Sequence, residues 1–192
     1  NDSDLNLDLK NITNSESPEI LIAGCGTGQH ALTTASKYKK SKVLALDLSF
    51  KSLSYAKRKA KELKINNIDF IQGDILDLES IDRKFDIIES VGVLHHMDNP
   101  FKGWEILTSC MNNDSLMLIG LYSEKARQHI IEIKNKINKL KLQSNYKNII
   151  KFRKDLFENN DNDLNYIKSS PDFYTVSGVR DLLFHVQEHR FT

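Results

Sequence analysis

Three glycines at alternate positions follow an apolar run in the segment ILIAGCGTGQH, which occupies positions 20–30. Glycine has no Cβ, so the chain can turn there at positive φ and a ligand can approach the backbone closely. Gly24, Gly26 and Gly28 therefore predict a ligand-binding turn between a strand and a helix. No Gly-Lys-Ser or Gly-Lys-Thr sequence follows the glycines, which excludes a phosphate-binding P-loop.

Acidic side chains end two further apolar segments. Asp47 closes the run KVLALD and Asp74 closes IDFIQGD. A carboxylate offers several lone pairs and no donor, which suits a ligand that carries hydroxyl groups. The alternative readings are a helix cap for Asp47 and a turn for Asp74.

A pair of histidines lies in the segment LHHMDNP. Histidine titrates near neutral pH, so His95 or His96 could act as a general base. The alternative is that at least one of them holds its loop by hydrogen bonds. Cys25 is interpreted as a small turn residue rather than a nucleophile, because no basic partner is evident near it in the sequence.

The elements that must position these residues alternate between strand and helix. The pattern predicts strands at 19–23, 42–49, 68–74, 85–91 and 115–123, and helices at 28–38, after Ser49 and at 100–112. Five such alternations predict an α/β fold with a Rossmann-like, doubly wound parallel sheet. Ligands bind such sheets beyond the carboxyl ends of the strands, so the glycine turn and both aspartates are expected to converge on one crevice.

Composition limits the classes of partner. The 27 basic and 26 acidic residues give a net charge of +1, so charge alone predicts neither DNA nor a membrane surface as a partner. Cys25 and Cys110 have no metal-ligand spacing, which favours a reducing, cytoplasmic location. No apolar stretch has the length of a membrane span and no signal peptide is visible.

The chain is divided by these patterns into three parts. Residues 1–17 form a polar N-terminal segment, 18–123 the sheet-containing core and 124–192 a helical cap. The basic stretch 133–154 is interpreted as part of that cap, with RNA or an acidic protein as alternative partners. The segment HVQEH at 185–189 matches a zinc-peptidase signature if it is helical, but the chain offers no third ligand downstream, so no metal is expected.

Four segments in this order resemble the class I S-adenosylmethionine-dependent methyltransferases: AGCGTG, ALDLS, QGDILDL and FDIIESVGVLHHMDNP. The resemblance runs from Pro18 to Tyr122, roughly half the chain. The LHHMDNP version is similar to the subgroup that acts on small molecules or proteins. In some bacterial relatives this domain is joined to tetratricopeptide repeats.

The resemblance implies a cofactor, S-adenosyl-L-methionine, and a role for each site residue. The glycine turn would lie against the methionine part, Asp47 would bind both ribose hydroxyls and Asp74 the adenine amino group. The implied cofactor-binding residues are Gly24, Cys25, Gly26, Gly28, Asp47, Leu48, Asp74, Ile75, Ser90 and Val91, with Ser90 and Val91 just past the fourth strand. The candidates for catalysis at the acceptor are His95, His96 and Tyr122, the last of which is placed at the end of strand five.

The sequence departs from the family in two places. The acidic residue usually found two positions before the first glycine is replaced by Ile22. The hairpin of strands six and seven that ends this fold is missing or truncated, which leaves five strands in the order 3-2-1-4-5.

Three functions are consistent with these patterns. The first is a methyltransferase acting on a small-molecule or protein acceptor. The second is an NAD-dependent oxidoreductase, although Gln29 stands where the third glycine of that fingerprint belongs. The third is a non-catalytic module that binds a cofactor or a protein partner on the same fold.

Overall fold

The central feature of the computed structural model is a five-stranded parallel sheet in the order β3-β2-β1-β4-β5, within the described residues 16–158, 167–185 and 187–192. The strands are β1 (Glu19–Ala23), β2 (Lys42–Asp47), β3 (Ile68–Gln72), β4 (Phe85–Val91) and β5 (Met111–Gly120). The predicted fold class and strand order are confirmed. Residues 1–15 of the predicted N-terminal segment lie outside the described residues.

Helices connect the strands and extend beyond them. They are α1 (Gln29–Lys37), α2 (Phe50–Glu62), α3 (Pro100–Ser109), α4 (Gln128–Lys139), α5 (Tyr146–Glu158) and α6 (Val176–Phe184). Ser49 caps α2, because its side chain accepts a hydrogen bond from the backbone N–H of Ser52.

Apolar side chains cover both faces of the sheet. The central strand β1 alternates between two clusters, since Ile20 and Ile22 pack with α1 and α2 while Leu21 and Ala23 pack with α3. A parallel strand that is buried on both faces reads as a continuous apolar run, as ILIA does here. The sheet therefore fixes the positions of its strand ends rigidly.

The ends of β2, β3 and β5 differ from the sequence prediction, and so does the placement of Ser90 and Val91. β2 and β3 end together at the register pair Asp47 and Gln72, because the residues that follow begin helical turns. Ser90 and Val91 are the last residues of β4 rather than residues beyond it. β5 ends at Gly120, the register partner of Val91, so Tyr122 does not end the strand as predicted.

β5 also begins earlier than predicted, at Met111. Phe85 pairs with Met111 and Ile87 pairs with Leu116, so the polar residues 112–115 are an irregular insertion in the ladder. Such a bulge adds residues to one strand without adding cross-strand pairs. The hydrophobic pattern therefore predicted a strand that starts only at residue 115, at the end of the bulge.

Backbone contacts divide the chain into two units, one that ends at Leu121 and one from Tyr122 to Thr192. The second unit contains α4, α5 and α6 around its own apolar core, and in its described part the one strand-like pairing is a bridge between Ser123 and Phe191. The segment HVQEH is not helical as the zinc-site reading requires, because α6 ends at Phe184 and His185 is extended. Val186 lies outside the described residues.

The helices that the structure describes include none that is both long enough and apolar enough to cross a membrane.

Candidate functional site

The three glycines of the turn after β1 share a positive φ but differ in what surrounds them. All three have positive φ, at 80° for Gly24, 54° for Gly26 and 86° for Gly28. A Cβ at Gly24 would lie 2.3 Å from Val93, and one at Gly28 would lie 2.5 Å from Ala56. A Cβ at Gly26 would have no atom within 4 Å, so the bare backbone of Gly26 faces open space.

Asp47 joins the end of β2 to the glycine turn. Its Oδ2 accepts a 2.7 Å hydrogen bond from the backbone N–H of Gly26, and its Oδ1 accepts one of 2.8 Å from the N–H of Ser49. Two N–H donors leave further lone pairs on the carboxylate, since each oxygen has two. Asp47 thus orders the turn and keeps acceptor capacity for a ligand.

Asp74 lies beyond the adjacent strand, at the same edge of the sheet as Asp47. It caps a 3₁₀ helix, Ile75–Ser80, by accepting a 3.0 Å hydrogen bond from the N–H of Leu76. Gln72 ties the two strand ends together by donating to the carbonyl oxygen of Leu48 at 3.0 Å. The sheet therefore brings the two aspartates to one edge, as the sequence predicted.

The remaining predicted cofactor contacts differ in exposure. Leu48 is 66% exposed and Val91 is half exposed at the edge of the sheet, whereas Ile75 is buried. Ser90 is fully buried, and its Oγ forms no hydrogen bond with any described atom. A buried hydroxyl without a partner is costly, so Ser90 is a group that a water or a ligand atom would satisfy.

Cys25 does not have the environment of a nucleophile. Burial, together with the nearby charge of Asp47, raises the pKa of its thiol to about 12. The thiolate is the reactive form, so a pKa in this range leaves almost none of it at neutral pH. The interpretation of Cys25 as a turn residue agrees with this environment.

The two histidines after β4 lie in a short 3₁₀ helix, Leu94–His96. Their rings stack edge to face with centroids 4.3 Å apart. His95 is fully buried and His96 is partly exposed. The Nε2 atom of His96 is itself buried, but His96 is the more exposed residue of the two and is therefore the better placed to reach the proton that a general base removes.

Tyr122 belongs to the second unit, where its ring packs under a guanidinium. The Cζ of Arg127 lies 3.5 Å from the centroid of the Tyr122 ring. Burial raises the pKa of Tyr122, although the positive charge of Arg127 opposes this. A phenol acts as a general base only in its deprotonated form. The raised pKa leaves less of that form at neutral pH, so Tyr122 is a weaker candidate for the base.

Arg127 itself is held by an acidic residue that the sequence analysis did not single out. Its Nε and one terminal nitrogen each lie 3.1 Å from a different carboxylate oxygen of Glu188, and Lys134 Nζ lies 2.8 Å from Oε2. Glu188 is only 3% exposed. Arg127 is therefore a structural ion-pair residue within the second unit.

A second missed group lies in the first unit. Glu89, in β4, has its Oε2 2.9 Å from Thr34 Oγ1 and 2.8 Å from His30 Nε2, both of which are in α1. The signal in the sequence was an acidic residue near the end of the strand segment FDIIES, where Glu89 follows Ile87 and Ile88. Its partners are more than fifty residues away, so no local pattern connects them.

A family model described as a methyltransferase domain matches residues 15–166. The chain belongs to this family. The predicted methyltransferase domain is thereby confirmed.

Curated plant relatives match the methyltransferase core. The probable (S)-tetrahydroprotoberberine N-methyltransferase 2 of Papaver bracteatum is 34% identical over 113 residues, which cover 59% of this chain and 31% of the relative. The (S)-coclaurine N-methyltransferase of Papaver somniferum is 32% identical over 116 residues, which cover 60% of this chain and 32% of the relative. The chain thus spans about a third of the length of these relatives.

Solved structures share the fold of this methyltransferase domain. PKMT2 from Rickettsia typhi, in complex with AdoHcy, superimposes with a TM-score of 0.69 at 23% identity, covering 92% of this chain and 36% of that one. Coclaurine N-methyltransferase bound to N-methylheliamine and SAH gives a TM-score of 0.51 at 22% identity, covering 58% and 32%. At these identities the likeness is one of fold.

Proposed function

We propose that the chain is the cofactor-binding methyltransferase unit of an enzyme that methylates a small molecule or a protein. The observation that carries the proposal is the open backbone of Gly26, held at the edge of the sheet by Asp47. An apolar core would fill that space with a side chain, whereas a ligand-binding turn leaves it open. The methyltransferase family match agrees with the second interpretation.

The residues at this edge suit the parts of S-adenosyl-L-methionine. The spare lone pairs of Asp47 would accept the ribose hydroxyls, and Asp74 would accept the adenine amino group. The exposed side chain of Leu48 would cover one face of the adenine. Ser90 and Val91, at the end of β4, would border the sulfur.

The chain's own part in the reaction is mainly to position the acceptor. The cofactor, when bound, supplies a methyl group on a positively charged sulfur, which is already a strong donor. Alignment of an acceptor atom and exclusion of water therefore account for most of the required acceleration. His96 would remove a proton only where the acceptor is a hydroxyl or another protonated group.

Calorimetry with S-adenosylhomocysteine tests the cofactor site directly. We expect saturable binding to the wild-type chain and no heat from NADH, which represents the oxidoreductase alternative. The variant Asp82→Ala is a matched control, because Asp82 is exposed before β4, at the opposite edge of the sheet. A folded chain that binds NADH but not S-adenosylhomocysteine would overturn the proposal.

Methyl transfer is tested separately. We expect S-adenosylmethionine labelled on its methyl group to transfer label to a component of a cell extract when the chain is present. Loss of that transfer in a variant that no longer binds S-adenosylhomocysteine would link the activity to this site. Binding without any transfer would favour the non-catalytic module.

A further inference from the structure

We propose that Glu89 binds the positively charged amino group of the cofactor's methionine part, an inference that rests on the proposed function. The structure places this carboxylate close to the glycine turn, and among the described residues one of its oxygens has no hydrogen-bond donor and the carboxylate has no permanently charged partner.

The position of Glu89 follows from strand register. Glu89 in β4 is paired with Ile22 in β1, two residues before Gly24. Register partners in neighbouring parallel strands point to the same face of the sheet, here the face that α1 covers. Ile22 is buried and apolar, so β1 offers no carboxylate just before the turn, and its register partner in β4, Glu89, offers one instead.

The contacts of Glu89 orient it towards the start of α1. Thr34 Oγ1 and His30 Nε2 hold its Oε2 at 2.9 Å and 2.8 Å. His30 is the second residue of α1, which begins immediately after the glycine turn. Oε1 forms no hydrogen bond with any residue that the structure describes, so it remains available to a donor.

The burial and negative charge of Glu89 favour a bound cation next to its carboxylate. The side chain of Glu89 is only 12% exposed, and in the described part of the chain its single ion-pair partner is His30, which is charged only when protonated. A carboxylate that is removed from water without a lasting positive partner is costly. An ammonium group has three donors and would offset that cost by bonding Oε1.

The alternative role for Glu89 is purely structural, as a tether between β4 and α1. Two ligands, one with and one without the amino group, distinguish these roles. S-adenosylhomocysteine carries the amino group, whereas 5′-methylthioadenosine has the same adenosine and a thioether sulfur without the amino-acid part. A lost ammonium contact weakens only the first ligand, and a lost tether weakens both.

The experiment measures both affinities by calorimetry for the wild type and Glu89→Gln. We expect the variant to bind S-adenosylhomocysteine about tenfold to a hundredfold more weakly, as for one hydrogen bond between charged groups. We expect its affinity for 5′-methylthioadenosine to stay within about twofold. Glu105→Gln, which removes an exposed carboxylate paired with Lys102, is the matched control and should change neither affinity.

A second variant keeps the test informative if Glu89→Gln folds poorly. Thr34→Val removes one of the two groups that hold Oε2 and leaves the charge of Glu89 in place, so it should weaken S-adenosylhomocysteine binding slightly and leave 5′-methylthioadenosine binding unchanged. Equal losses for both ligands, or no loss for either, would overturn the role of Glu89. A wild-type chain that binds neither ligand would instead overturn the proposed function.

Discussion

The carboxylate of Asp47 accepts the backbone N–H of Gly26 at 2.7 Å, so the end of β2 and the turn after β1 are joined before any ligand arrives. The same side chain accepts the N–H of Ser49 at the start of α2. Asp47 therefore has a structural role and, in the proposed function, a binding role. The two roles predict different effects in different variants.

Replacement of Asp47 by alanine should abolish most cofactor affinity. The variant loses two hydrogen bonds from the ribose to a charged group, each worth about 1.5–3 kcal/mol, and also loosens the glycine turn. We expect S-adenosylhomocysteine to bind at least about a hundredfold more weakly in calorimetry. Asp47→Asn, which keeps one acceptor oxygen for the Gly26 N–H, should lose less, and equal affinity in wild type and Asp47→Ala would contradict the assignment.

Alanine substitutions at Gly24 and Gly26 should have different effects, the first mainly on stability and the second mainly on cofactor binding. Gly24→Ala places a methyl group against Val93 at positive φ, so it should lower the free energy of unfolding by about 3 kcal/mol. Gly26→Ala meets no neighbour and should cost only about 1–2 kcal/mol of backbone strain, while its methyl group enters the crevice and weakens S-adenosylhomocysteine binding. Urea unfolding and calorimetry on both variants measure the two effects; the reverse ranking would refute this interpretation.

The two adjacent histidines should behave differently. His96→Ala should reduce methyl transfer to a hydroxyl acceptor by about a hundredfold or more without lowering S-adenosylhomocysteine affinity, as for a lost general base. His95→Ala should lower the unfolding temperature, because the ring is fully buried. Transfer assays with labelled cofactor and thermal unfolding distinguish them, and full activity in His96→Ala would rule out its role as a base.

Neither cysteine should be reactive in the folded chain. The pKa of Cys25 is raised to about 12, chiefly by burial, and Cys110 is also buried. We expect no rapid reaction with a thiol-specific disulfide reagent at about pH 8, and reaction of both thiols once guanidinium unfolds the chain. A fast phase in the native protein would show that one of these thiols is accessible.

Glu188 should make the stability of the second unit depend on pH. Burial alone would raise the pKa of Glu188, but hydrogen bonds from Lys134 and Arg127 outweigh burial and lower it below its ordinary 4.5. A carboxyl group with a lowered pKa stabilises the fold above the pKa of the unfolded chain, and this stabilisation is lost as the pH falls through the folded value.

Glu188→Gln tests that pH dependence. At about pH 7 the variant leaves the partly buried cations Arg127 and Lys134 without their anion, which should cost about 3 kcal/mol in urea unfolding followed by circular dichroism. The difference between wild type and variant should shrink below about pH 4.5. Glu132→Gln, on the exposed side of α4, is the control, and a difference that does not depend on pH would contradict the ion-pair explanation.

Individual residues show which structural features the sequence patterns predicted correctly and which they did not. Gly24, Asp47 and Asp74 were placed at the carboxyl edge of the sheet from local patterns, because apolar runs mark buried strands and polar residues mark their ends. Tyr122 was misplaced by two residues, because the end of β5 is set by its pairing with Val91 and Gly120 and not by its own composition.

The sequence by itself determined the alternation of elements, the parallel sheet and the glycine turn, since hydrophobic periodicity and backbone freedom are local properties of the chain. Only the tertiary structure decided that Gly26 alone of the three glycines faces open space, that Glu89 contacts His30 and Thr34, and that Glu188 pairs with both Arg127 and Lys134. These relationships join residues twenty or more positions apart. Their energies depend on distance and burial, which exist only after the strands and helices have packed.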